Sequence, residues 1–346
     1  MATKIYDWDD FKAMSLAPDG DYELANDLDE NTDGYTENIA PIAKWTCSNP
    51  VYTDYEACIA NSGTWDLTPF SGTFDGKNFS VKYVQITLDE GMDNMSGLFH
   101  TITGTVKNLK IVDCDARSLG FSAVLAYSVD GGTVENVHII RAGGTGTTGL
   151  AGGAGLACLA INGASISRCS VIDSTIGGIA LMQPVAGFIL TTDGSAITNC
   201  FVQNVSIEGR AICAGFIYNS LGSIVNKCYS AASFVTGDPP ANDSGFVYTG
   251  TELLITNCFY DFELWDGAGT TYGTPKSTES MKQVETFTHE YDSGPPVSGS
   301  IGLVEAWDFI NDPYDDVGSD NIWRIYSGNN GYPCFALPVK RQTFIL

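Results

Sequence analysis

Between about residue 70 and residue 275, apolar and polar positions alternate in short runs, and one run keeps returning. It reads Val81-Lys82-Tyr83-Val84-Gln85-Ile86, Val106-Lys107-Asn108-Leu109-Lys110-Ile111, Val134-Glu135-Asn136-Val137-His138-Ile139 and Ile166-Ser167-Arg168-Cys169-Ser170-Val171, and again over 197–202, 225–230 and 255–260. Its fourth position is Val84, Leu109, Val137, Cys169, Cys200, Cys228 and Cys258, at spacings of 25, 28, 32, 31, 28 and 30. A second column keeps step with it: Gly97-Leu98-Phe99, Ala123-Val124-Leu125, Gly155-Leu156-Ala157, Gly187-Phe188-Ile189, Gly215-Phe216-Ile217 and Gly245-Phe246-Val247. Apolar first, fourth and sixth positions describe short strands with one buried face. A repeat near 30 residues with two strand signals and no helical period buries that face only by stacking on its neighbours. Parallel connections are right-handed in nearly all cases. The pattern therefore predicts an all-β chain: a right-handed parallel β-helix of about seven coils, stacked about 4.8 Å apart.

The third position is Asn108, Asn136, Asn199 and Asn257 in four coils. Asparagine tolerates left-handed backbone and bonds to a neighbouring turn, so these four read as a structural Asn stack. Cys169, Cys200, Cys228 and Cys258 fall in an inward column and read as core thiols rather than ligands. Cys47 and Cys58 sit instead in a polar, Trp-flanked loop whose spacing suits a disulfide. The flanks read as covers for the open ends of the stack. Trp8, Phe11 and Met14 recur at helical spacing, and Ser277 to Lys282 carries a helix-start signal ahead of Trp307, Phe309, Trp323, Ile325, Tyr332 and Phe335. The organisation expected is an N-terminal cap of short helix plus strand over 1–43, a disulfide-type loop insertion over 44–69, the β-helix over 70–275 and a C-terminal cap over 276–346.

Charge narrows the partners. Lys plus Arg number 17 and Asp plus Glu 41, a net charge of −24, and no basic patch interrupts it. Nucleic acid is excluded as a ligand on that ground. No apolar run approaches the roughly 20 residues of a spanning helix, so membrane insertion is not expected. The opening residues 1–11 carry no basic stretch followed by an apolar one, and no cleaved export signal is read there.

Several segments resemble the GLUG-motif β-helix proteins of bacterial, archaeal and tailed-virus surfaces. The resemblance rests on Asp21 to Asp29, on Phe70-Ser71-Gly72-Thr73-Phe74-Asp75-Gly76-Lys77-Asn78, on Gly97-Leu98-Phe99 followed by Val106 to Leu109, and on the closing Trp307-Asp308-Phe309, Trp323-Arg324-Ile325 and Gly331-Tyr332-Pro333. It implies adhesion or surface structure and no shared catalytic residues.

Three features of the sequence offer chemistry. Lys110 and His138 stack on consecutive coils with Asp113 and Asp115 nearby, the best cluster for a polysaccharide-degrading enzyme. No pair of carboxylates recurs at matched positions, and the chain is expected not to be an enzyme. The outward fifth position turns aromatic at Phe201, Tyr229 and Phe259, which makes them binding or interface candidates. A contact with another subunit and coverage by the chain's own carboxy-terminal segment stand equal there, with glycan binding third. Asp29, Asn31 and Asp33 follow the first half of a calcium loop, but Ala40 occupies the position of the bidentate Glu. No cofactor is expected, with calcium weighed only at those three residues.

The expected function is that of a non-enzymatic virion surface protein of a tailed virus, a fibre, spike or decoration element. Its partners would be other virion proteins, its own copies (a trimer among the options) and a host cell-surface glycan or protein. A secreted bacterial or archaeal cell-surface adhesin is the alternative, and a polysaccharide-degrading enzyme the second.

Overall fold

The computed structural model describes residues 1–52, 55–87, 95–146, 152–178, 183–209, 212–235, 243–265, 272–289, 300–310, 321–326 and 329–336. Over these residues the chain is an all-β parallel solenoid. One coil runs through Thr105–Val112, Asp115–Ser118, Ser122–Ala123 and Ala126–Asp130, and each strand pairs in parallel with its equivalents on the coils before and after. Six strands, from Phe99–Ile102 to Val247–Thr251, stack in one sheet and so enclose five complete turns. The expectation of about seven coils counted recurrences along a different face.

Three corners per coil use left-handed backbone. The first is at Asn78, Asn108, Asn136, Arg168, Asn199, Lys227 and Asn257, the second at Tyr83, Asp113, Arg141, Asp173 and Asn204, and the third at Gly131, Asn162, Gly163, Gly194, Gly222 and Glu252. Asn suits such a corner because its short amide offsets the backbone cost by bonding locally. Asn136 Nδ2 donates to Asn108 Oδ1 at 2.9 Å, and Asn257 Nδ2 to Asn226 Oδ1 at 2.8 Å. Arg168 and Lys227 interrupt the amide row between these two stretches.

The residue after the first corner turns inward and explains the cysteine column. Each thiol donates back to the carbonyl two residues earlier: Cys169 to Ser167, Cys200 to Thr198 and Cys228 to Asn226, all at 3.2 Å. The Cys200 and Cys228 sulfurs each also accept the amide of the preceding coil's cysteine, at 3.4 Å. Ser174, Ser195 and Ser223 make the same backward bond after the other two corners. In these coils a small inward atom that both gives and takes a hydrogen bond fills the corner, whereas Leu109 and Val137 fill the equivalent positions of the earlier coils by apolar packing.

Two register assignments from the sequence are corrected by the pairing. Lys110 lies opposite Ser80, not Gln85, so Phe79 rather than Val84 is the equivalent of Leu109, and Val84 follows the second corner. The irregular spacing of 25 marked that error. Ala126 lies opposite both Phe99 and Ala157, which places Val124, not Ala123, in line with Gly97 and Gly155.

At the amino end, Asp7 caps the helix Trp8–Ala13, and Trp8, Phe11 and Met14 are fully buried. The hairpin of Lys44–Cys47 and Trp65–Thr68 carries the Cys47–Cys58 disulfide, with Cα atoms 5.8 Å apart. At the other end the chain turns back along the solenoid as a strap. Trp307 Nε1 donates to the Asn257 carbonyl at 3.0 Å, Trp323 Nε1 to Asn199 Oδ1 at 3.3 Å, and the Phe335 ring lies 5.4 Å from that of His138. The strap thus runs from the last coils back to that of His138. Residues 290–299, 311–320, 327–328 and 337–346 of the expected cap lie outside the described residues.

Candidate functional site

The second corner and the strand that follows it build an open cleft of about 720 Å³ on the flank of the solenoid. Its size falls in the range of roughly 300–1,000 Å³ typical of ligand sites. Because the corner repeats on every coil, its side chains stack along the axis: Tyr83, Asp113, Arg141 and Asp173 all line the cleft. Arg141 Nε and Nη2 donate to the two oxygens of Asp113, both at 2.8 Å. That bidentate pairing raises the guanidinium pKa and fixes its plane. Asn204 Nδ2 donates to Asp173 Oδ1 at 2.6 Å, and Gln85 Nε2 to Glu37 Oε1 at 2.8 Å.

The strand after the corner supplies the floor. Its outward positions on successive coils include Asp115, Gly143 and Thr175, aligned by the strand register. A Cβ on Gly143 would come within 2.1 Å of Asp115 Oδ1, so the missing side chain leaves a notch in which that carboxylate lies. Arg117 Nη2 donates to Asp115 Oδ2 at 2.6 Å. Tyr35 completes the wall, its hydroxyl donating to the Tyr83 carbonyl at 2.6 Å, and Tyr83 as a residue is 43% exposed. Burial, reinforced by Glu37, keeps the Tyr35 hydroxyl protonated.

The residues singled out in the sequence are distributed differently. Asp113 and Asp115 are in the cleft, paired with Arg141 and Arg117. Lys110 and His138 lie on the adjoining face, where His138 Nδ1 is 2.9 Å from Ser170 Oγ and Nε2 is 3.1 Å from Asn136 Oδ1. Phe201, Tyr229 and Phe259 are not an exposed platform. They are 1%, 0% and 1% exposed and pack under Met281, Phe287, Trp307, Trp323 and Tyr332 of the strap. The subunit contact proposed for them is replaced by the chain's own cover. Asp29, Asn31 and Asp33 do not converge as metal ligands: Asp29 Oδ1 accepts from the Asn31 amide at 3.0 Å and the Thr32 hydroxyl at 3.3 Å. Among the described residues no three His, Cys, Asp or Glu side chains gather as a metal group. Sequence reasoning missed Tyr35, Tyr83, Arg141, Gly143 and Asp173.

His138 yields a prediction. Burial first, and then the neighbouring Lys110 ammonium, push its pKa down to about 4. The folded state therefore holds a neutral imidazole where the unfolded chain, near 6.5, takes up a proton. Stability is complete above about pH 6.5 and falls as the pH drops towards 4, by about 3 kcal/mol. Urea denaturation at pH 7.5 and 4.5 should show that loss, and His138→Asn should reduce it by that amount.

The sequence matches no family model and no curated protein. Among solved structures it is similar to a candidate immunoglobulin A1 protease from Bacteroides ovatus, aligned over 96% of this chain and 92% of that one, with a TM-score of 0.57 and 13% identity. The two share a fold. An IgA1 protease structure aligns over 86% of this chain and 19% of its own length, with a TM-score of 0.42 and 14% identity. The expectation that the chain is not an enzyme is corrected here. A protein named as a candidate protease carries the same solenoid end to end, so the architecture gives no ground for excluding catalysis.

Proposed function

We propose that this chain is a surface or secreted β-solenoid that attaches through its flank cleft to another surface. The observation that carries this reading is the cleft itself, in which two tyrosines, a bidentate Asp–Arg pair and further carboxylates from successive coils face one concave space. Concave sites with a few convergent polar groups are where soluble proteins hold ligands. The Cys47–Cys58 disulfide supports an oxidising compartment, which favours a cell-surface or secreted protein over a virion assembled in a reducing cytosol. The GLUG-type resemblance agrees with a surface role, of which a virion surface protein is the narrower form.

The test is retention of the purified protein on immobilised mucin and on purified bacterial envelopes, with turnover of either material assayed alongside. Arg141→Asn keeps a residue that tolerates the left-handed corner, φ 50°, and removes the fixed guanidinium. An exposed ion pair contributes at most about 1 kcal/mol, so the variant should fold. Retention should fall at least tenfold. Retention equal to that of the unaltered protein would refute the reading.

A further inference from the structure

We propose that the ligand of the flank cleft is an uncharged oligosaccharide, and that Tyr83 is its stacking residue; the proposal rests on the attachment reading and names what that site takes. The first observation is backbone strain with no evident structural return. Tyr83 sits at the second corner with φ 61°, a conformation that a bulky aromatic rarely adopts. The same corner holds Asp113, Arg141, Asp173 and Asn204 on the following coils, so the fold has no need of an aromatic there. The hydrogen bond from Tyr35 goes to the Tyr83 backbone carbonyl and asks nothing of the ring. Yet the ring is partly exposed at the cleft wall, with Tyr35 beside it. Strain of this kind points to function when the surroundings do not explain it.

The second observation is the state of the polar groups. Each carboxylate on the wall and floor is held by a hydrogen bond: Asp113 and Asp115 in ion pairs with Arg141 and Arg117, Asp173 and Glu37 by the neutral amides of Asn204 and Gln85. Those contacts leave Asp115 Oδ1, Asp173 Oδ2 and Glu37 Oε2 as acceptors with no further hydrogen bond among the described residues. Held in place, such oxygens take hydroxyl protons well. They also repel carboxylate and sulfate, since Glu37, Asp113, Asp115 and Asp173 face a single lining arginine. An aromatic face edged by fixed acceptors fits a sugar, with an apolar C–H face and a rim of O–H donors. A basic peptide is the competing ligand. It is disfavoured because Asp113 and Asp115 already carry arginine partners, and because the cleft floor presents side chains and a glycine notch rather than a free strand edge.

Isothermal titration tests this with chitotetraose, cellotetraose, xylotetraose and galactotetraose as uncharged probes, against trigalacturonate, sialyllactose and hexalysine. The expected result is saturable binding of at least one uncharged probe, tighter than any charged one. Tyr83→Gly and Tyr83→Asn should each weaken it at least tenfold, while the melting temperature stays level or rises as the corner relaxes. The proposal is overturned if no uncharged probe binds, if a charged probe binds more tightly, if both variants bind as the unaltered protein does, or if both melt several degrees lower. Absence of oligosaccharide binding while Arg141→Asn still abolishes retention on mucin or envelopes would sink this proposal and leave the attachment reading standing. Retention unaffected by Arg141→Asn would sink both.

Discussion

Val137→Asp should prevent the solenoid from folding. Val137 is fully buried, paired in register with Leu109 on the preceding coil, and lies within the apolar column that runs the length of the stack. An aspartate there has no cation to meet, and an unpaired buried charge costs roughly 4 kcal/mol or more. Total stabilities are about 5–15 kcal/mol, so one such change consumes much of the margin. The damage also spreads, because each coil derives its stability from contact with the next. The variant should be recovered as aggregate or should melt at least 10 °C lower by circular dichroism, whereas Val137→Ile should remain near the unaltered protein. The neighbouring position is the control for register: His138→Gln changes an outward side chain and should leave the coils folded at pH 7.5.

Trp323→Ala should release the strap and leave the coils intact. Trp323 is fully buried, 4.5 Å in ring centroid from Trp307 and 4.9 Å from Phe335, and it covers both Phe201 and Tyr229. Emptying that volume costs about 3–5 kcal/mol. The strap keeps polar anchors, including Pro333 O within 2.6 Å of the Tyr229 hydroxyl and the reciprocal Gln203–Asn329 amide pair. These net about 1 kcal/mol each and do not replace the lost aromatic contact. Limited proteolysis should cut between residues 300 and 336 at enzyme levels that spare the unaltered chain, and a dye that binds apolar surface should report the uncovered aromatics. A strap that resists protease in this variant would mean that the aromatic layer is not what holds it.

How far the sequence was legible follows from how strictly each position repeats. The inward column of Leu109, Val137, Cys169, Cys200, Cys228 and Cys258 recurs because the residue after that corner always faces the core, and the solenoid could be read from it. Phe79 was missed as the equivalent of Leu109 because Val84 follows another corner in a similar apolar–polar run. Phe201, Tyr229 and Phe259 were correctly placed outward, but alternation does not distinguish a face that meets solvent from one that meets the chain's own strap. The cleft was hidden for a different reason. Its corner positions, Tyr83, Asp113, Arg141, Asp173 and Asn204, share a backbone conformation and no residue type. Their spacings of 30, 28, 32 and 31 follow the coil period and were the available signal. Asp113 and Asp115 were noticed, but as neighbours of Lys110 in sequence; in the fold the corner at Asp113 separates them from that face.

The cleft as the attachment surface is tested most directly by filling it. Thr145 lines the cleft from an outward position on its strand, whereas Thr249 is exposed on the six-stranded sheet. Retention on mucin and bacterial envelopes should be lost in Thr145→Trp and kept in Thr249→Trp, with both proteins melting like the unaltered chain. Equal retention by the two variants would contradict the assignment of function to this cleft.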